Sequence, residues 1–147
     1  MNKLSPIINI HDIPKYKVRK ISKDVIDWCY DNLEIIKDKP DLLVYYTKNT
    51  GALKPDNWKH GPAGLYSYEK NKIYITTFAR VKRKVTLKYF IGLLIHEFIH
   101  SQQSNERHEE YDWSTVKEYR DHDMEVEAVK YERELRSEVS KYICKKH

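Results

Sequence analysis

The stretch LKYFIGLLIHEFIH, residues Leu87–His100, decides the fold of this 147-residue chain. Its apolar side chains recur every three or four residues, a spacing that predicts an amphipathic α-helix with one buried face. These residues are Leu87, Phe90, Ile91, Leu94, Ile95 and Phe98. Thr86 precedes them and is the predicted N-cap. The rest of the chain must supply apolar side chains that pack against the buried face of this helix.

A second helix is predicted upstream. Apolar residues from Val25 to Ile36 follow a helical spacing, and Ser22 precedes them as the predicted N-cap. Pro40 lies just beyond the predicted end. Residues 1–20 contain two prolines and no sustained period, so they are predicted to form an irregular N-terminal arm.

Three short runs rich in β-branched and aromatic residues lie between these helices. Leu42–Thr47 is a predicted strand, and Leu65–Tyr68 and Ile73–Phe78 flank a polar turn as a predicted hairpin. Downstream, a last long helix is predicted from near Thr115 to Ile143. We therefore expect a single α+β domain over residues 1–147. A small three-stranded antiparallel or mixed sheet would pack on the N-terminal, central and C-terminal helices.

Composition and charge narrow the classes of protein to consider. Hydrophobic residues make up 40% of the chain, and no apolar run approaches the ~20 residues that span a bilayer. The N-terminus lacks the pattern of a signal peptide, so we expect a cytoplasmic protein without membrane contact. Cys29 and Cys144 lie far apart and are interpreted as two ordinary thiols. The net charge is +5, with a basic run at Arg80–Lys84 of the kind that a nucleic-acid-binding surface would have. We interpret it as a solvated, lysine-rich surface, which is the more common case.

The central helix also carries the pattern HExxH, with His96, Glu97 and His100 at its defining positions. Residues four apart stand one turn apart on the same helical face, so both imidazoles can reach one ion. Zn²⁺ accepts imidazole nitrogens and keeps a position open for water when three protein ligands bind it. Glu97 is the predicted general base and acid, which takes a proton from that water and passes it to the leaving amine.

A third metal ligand has to come from elsewhere in the chain. The extended pattern HExxHxxGxxH is absent, because Gln103 and Glu106 replace its Gly and its last His. The candidates lie downstream: His108, Asp112, Asp121, His122, Asp123, Glu125 and Glu127. At about 100° per residue, Glu125 falls within the apolar sector of the last helix and Glu127 on its polar margin. Glu125 is the predicted ligand, and Glu127 remains the alternative.

HEFIH followed by Glu125-Val126-Glu127-Ala128 resembles the gluzincin peptidases, and the short chain resembles the minigluzincins. The resemblance implies a small sheet with an active-site helix and a glutamate helix, and a peptide that pairs with an edge strand such as Lys72–Thr77. Val129 stands where many gluzincins have Asp, so the partner of the zinc histidines is not identified. The oxyanion-stabilising group is open among Tyr119, His122 and Tyr131.

The sequence thus predicts a zinc-dependent endopeptidase that acts on peptide or protein substrates. The alternative is a basic protein associated with DNA or RNA, whose zinc site cleaves bound proteins or is only structural. The N-terminal arm or the tail KYICKKH is a hypothetical cover for the site in a latent form, and a homodimer is left open.

Overall fold

The computed structural model describes residues 4–46, 64–77, 85–110 and 123–147. The predicted α+β class with a mixed three-stranded sheet is confirmed. A 3₁₀ turn precedes α1, and the elements after it are three strands and three more helices. Their bounds are 3₁₀ Ile10–Asp12, α1 Lys15–Asn32, β1 Asp41–Tyr45, β2 Gly64–Ser67, β3 Lys72–Thr76, α2 Leu87–Ser101, α3 Asn105–Glu110 and α4 Asp123–Lys146.

The sheet has the order β1-β3-β2. β2 and β3 form the predicted antiparallel hairpin, and β1 joins β3 in parallel. Asn71 adopts φ 48° in the hairpin turn, a left-handed conformation that Asn tolerates better than most residues. Because β3 pairs on both sides, the expectation that Lys72–Thr77 is an edge strand is wrong. Among the described strands, β2 is the edge next to α2.

Helix α2 forms the centre of the core. It packs against β2, β3, α1 and α4, and every residue from Leu94 to Ser101 is buried. Phe90 and Phe98 are completely buried, and each contributes about 2–3 kcal/mol of hydrophobic stabilisation. The predicted N-cap is confirmed, because Thr86 Oγ1 accepts a hydrogen bond from the Tyr89 N–H at 3.2 Å. Of the helices in the described ranges, none is long and apolar enough to cross a membrane.

The N-terminal segment differs from the prediction. Helix α1 begins at Lys15 after Pro14, and Ser22 lies inside it rather than at its N-cap. The Ser22 hydroxyl donates to the Val18 carbonyl at 2.7 Å, so a buried helical serine is satisfied by its own backbone. Ile10 and Ile13, which precede this helix, are buried in the core. The Ile10 N–H donates to the Val85 carbonyl at 2.8 Å, beside the beginning of α2.

The C-terminal segment continues α4 almost to the last residue. His147 Nε2 lies 2.7 Å from Asp24 Oδ2 on α1, and Lys146 Nζ lies 3.5 Å from Asp24 Oδ1. The tail is therefore attached to α1, and the described part of the arm to the start of α2. In the described ranges these contacts join both ends to helices rather than to His96 and His100, and the latency hypothesis stays a prediction. The predicted start of the last helix near Thr115 and the basic run Arg80–Lys84 lie outside the described residues.

Candidate metal centre

The three predicted metal ligands meet where α2 packs against α4. His96 and His100 extend from successive turns of α2, with their Nε2 atoms 3.2 Å apart. Glu125, in the first turn of α4, places Oε1 2.9 Å from His96 Nε2 and Oε2 3.1 Å from His100 Nε2. All three residues are buried and lie close enough together to bind a metal ion.

The donor atoms of the three residues are nearly as far apart as the ligand atoms around a zinc ion. Metal–ligand bonds of about 2.0–2.1 Å in tetrahedral geometry separate the donors by about 3.3 Å. The separations of 2.9–3.2 Å among His96, His100 and Glu125 are close to that value. Two imidazoles and one carboxylate thus fit a three-ligand centre in geometry as well as in chemistry.

Both imidazole rings are held so that Nε2 faces the shared point. Gln103 Nε2 donates to the Met124 carbonyl at 2.9 Å, which leaves its Oε1 to accept from His100 Nδ1–H at 2.7 Å. His96 Nδ1 lies 2.8 Å from Glu132 Oε1, which likewise accepts its proton. A proton on each Nδ1 leaves an Nε2 lone pair free to bind a metal.

The electrostatics of the centre favour positive charge at its middle. Burial alone would lower the pKa of His96, but the hydrogen-bonded carboxylates of Glu125 and Glu132 raise it to about 10. Burial alone would raise the pKa of Glu125, but hydrogen bonds from His100 and His96 lower it to about 2. Without a metal, the ionised Glu125 carboxylate thus favours protonated imidazoles. A metal cation bound at this point would displace those protons and leave the imidazoles neutral.

Glu97 lies beside the ligands and against the sheet edge. It is buried, and burial raises its pKa. A Cβ atom added to Gly64, the first residue of β2, would stand only 2.8 Å from Glu97 Cγ. Glycine therefore allows the edge strand to pass directly over the residue that the motif assigns to proton transfer.

No protein-family model, curated protein or solved structure matches this chain. Membership of the gluzincin peptidases accordingly stays a prediction from the motif.

The alternative ligand Glu127 has other partners. Its Oε1 accepts from Gln103 Nε2 at 3.1 Å and from Arg107 Nη1 at 3.3 Å. Arg107 Nη2 also lies 3.5 Å from the exposed Asp123 Oδ2. Glu127 therefore contacts the residues that follow α2 and is not part of the ligand cluster.

The remaining candidates occupy different positions. His108 Nε2 donates to the His100 carbonyl at 2.8 Å, and its ring stacks on Tyr68 with centroids 5.2 Å apart. Tyr131 lies about 120° around α4 from Glu125 and is 38% exposed, away from the ligand face. Four predicted candidates lie outside the described residues: Asp112, Tyr119, Asp121 and His122.

Two residues of the centre were missed at the sequence level, Gln103 and Glu132. Glu132 lies seven residues after Glu125, two helical turns along the same face, and this spacing could have identified it from the sequence. Gly92, in the middle of α2, was a second sequence signal, because a glycine inside a helix often marks the close approach of a neighbouring element. A Cβ at Gly92 would lie 3.3 Å from Glu132 Cγ, so the missing side chain makes room for the glutamate.

Proposed function

We propose that this chain is a zinc-dependent endopeptidase whose ion is held by His96, His100 and Glu125. The observation that supports it best is the convergence of three donor atoms at one buried point beside Glu97. Two neutral imidazoles and one carboxylate suit zinc, and a set of three leaves a coordination position open.

Each protein group then has a defined task. Zinc, when bound, polarises a carbonyl group and lowers the pKa of a water molecule. Glu97 takes the proton from the attacking water and delivers it to the amine that leaves. Because burial raises the pKa of Glu97, its carboxylate accepts that proton more readily than an exposed one would. Glu132 and Gln103 hold the two imidazoles in the orientation that ligation requires.

The position of β2 supports an extended peptide as the substrate. Its first residue, Gly64, lies against Glu97, and β2 pairs only with β3 among the strands of the described residues. A peptide that added to this edge as a new strand would pass over the centre with its main chain aligned by hydrogen bonds. This edge takes the place that was predicted for Lys72–Thr77.

The test combines metal analysis with a peptide-cleavage assay. Wild-type protein is expected to carry about one zinc per chain and to cleave unstructured peptides. Glu97→Gln is expected to keep the zinc and to lose activity by at least about a hundredfold, because the shape of the residue is kept and its basicity removed. Zinc bound without cleavage of any peptide in a diverse library would contradict the proposal.

A further inference from the structure

An open cavity of about 540 Å³ lies between the end of α1 and the hairpin of β2 and β3. Its walls come from the segment after α1, the hairpin of β2 and β3, and the first residue of α3. The residues that matter for its chemistry are Lys37, Tyr66, Tyr68, Asn71 and Asn105. Aromatic rings, amides, one lysine and the carboxylate of Asp38 give it the character of a polar binding pocket with apolar sides.

Lys37 has no counter-ion in the part of the chain that the structure describes. Its Nζ atom is buried without a hydrogen-bond partner and lies 5.6 Å from the centroid of the Tyr66 ring. Asp38 also lines the cavity, but its exposed side chain makes no ion pair with Lys37. A buried ammonium without a partner is unfavourable, and an anion from outside the chain would relieve that cost. Burial lowers the pKa of Lys37, in agreement with an ammonium that lacks a partner.

The lysine is fixed relative to the metal centre through the main chain. The Ile36 and Lys37 N–H groups donate to Gln102 Oε1 at 2.8 and 3.0 Å. Gln102 is the residue after α2 and lies two positions beyond His100. The cavity is therefore attached to the end of the helix that carries the HExxH motif.

Strand β2 relates the cavity to a bound peptide. Gly64 lies against Glu97, and Tyr66, two residues later, is on the same side of the strand and forms part of the cavity wall. In a peptide antiparallel to β2, the residue opposite Tyr66 comes two positions before the residue opposite Gly64. For a peptide in this orientation, the cavity lies on the N-terminal side of the bond next to Glu97.

We propose that this cavity is a specificity pocket for the carboxylate of an Asp or Glu side chain N-terminal to the scissile bond, with Lys37 Nζ as its cation. The inference rests on the proposed peptidase function for the position of the peptide. The Asn105 side chain lines the same cavity and offers an amide N–H as a further hydrogen-bond donor, whereas the Asn71 amide already donates to the Asp38 carbonyl at 3.1 Å. The Tyr66 ring keeps the ammonium in place by a cation–π contact.

The first test measures binding without turnover, in the Glu97→Gln variant. Two labelled peptides with amidated C-termini, identical except for one Glu or Gln, are titrated by fluorescence anisotropy. The peptide with Glu is expected to bind about tenfold more tightly, as for a hydrogen bond to a charged group. Lys37→Met is expected to abolish the difference. Lys70→Met, which removes an exposed charge from the neighbouring turn, is expected to preserve it.

The second test compares kcat/KM for the same two peptides in protein with Glu97 intact. A preference for Glu that disappears in Lys37→Met and persists in Lys37→Arg supports the pocket, provided that circular dichroism shows both variants folded. Equal binding of the two peptides by protein with Lys37 intact overturns it, and so does a preference that survives in Lys37→Met. Selective binding without any cleavage supports the pocket and contradicts the peptidase, whereas cleavage without selectivity does the reverse.

Discussion

Glu125 and Glu127 are two residues apart on α4 but have different partners. Glu125 contacts both imidazole Nε2 atoms, whereas Glu127 contacts Arg107 and Gln103. Glu125→Gln should therefore weaken zinc binding by more than about a hundredfold, because removing a ligand costs more than removing a group behind it. Glu127→Gln is the matched control and should keep its zinc. Competition titration with a chromogenic chelator measures both affinities, and equal values would contradict the assignment.

Glu132 acts on the centre through His96. Its carboxylate accepts the Nδ1 proton at 2.8 Å and so holds the ring with Nε2 towards the ligands. Glu132→Ala should lower zinc affinity by about 10- to 100-fold without removing a ligand. Glu134→Ala removes an exposed carboxylate from the same helix and should leave the affinity unchanged. The same chelator titration decides, and an unaltered affinity in Glu132→Ala would show that the hydrogen bond is dispensable.

At this scale the sequence specifies the ligands better than their supports. Helical periodicity places His96 and His100 on one face of α2 and Glu125 on the apolar face of α4, so each ligand can be identified from its own helix. The contacts of Gln103 and Glu132 depend on how α2 and α4 cross, which the periodicity of either helix leaves undetermined. Such partners become visible once the two helices are placed together.

At the scale of elements, the close contact between β2 and α2 depends on the absence of a side chain at Gly64. Gly64→Ala would place a Cβ atom 2.8 Å from Glu97 Cγ, so either the strand or the glutamate must shift. We expect kcat/KM for peptide cleavage to fall by at least about tenfold, because small displacements of catalytic groups are costly. Zinc content should stay the same, because Glu97 is outside the proposed ligand set.

Leu65→Ala is the control for that substitution. Leu65 is the next residue of β2, its side chain points to the other side of the strand, and it is 36% exposed. Its truncation should change kcat/KM by less than about twofold. If both variants behave alike, the loss in Gly64→Ala reflects damage to β2 in general and the close contact with Glu97 has no special role.

The elements were predictable to different degrees. The apolar period and Thr86 specify α2, and the polar turn specifies the hairpin. The parallel pairing of β1 with β3 connects distant segments, and short strands carry little information about their neighbours. The start of α1 was misplaced because Ser22 has the composition of an N-cap but lies in a helix interior, where Val18 accepts its hydroxyl.

At the scale of the whole molecule, α4 links the metal centre to α1. Its first turn carries Glu125, and its end is held at Asp24 by His147 and Lys146. Both cysteines are free thiols, as predicted, and the completely buried Cys29 packs in the core. Burial raises the pKa of Cys29 to about 12, so this thiol contributes to packing and is chemically inert in the folded protein.

The contact between the tail and α1 provides a test of latency. The His147 side chain is 7% exposed and lies 2.7 Å from Asp24, so His147→Ala should lower the free energy of unfolding by about 1 kcal/mol. Lys145→Ala, at an exposed position of the same turn, should change it by less than about 0.5 kcal/mol. Urea denaturation followed by circular dichroism measures both.

The same two variants should cleave peptides at the wild-type rate. His147 lies about 33 Å along the helix from Glu125, at 1.5 Å per residue, and its contact with Asp24 is local. A tail that covered the site in a latent form would give the opposite result, since releasing it would raise kcat/KM several-fold. Unchanged kcat/KM together with reduced stability would show that the C-terminal turn holds the helices together and does not regulate access to the centre.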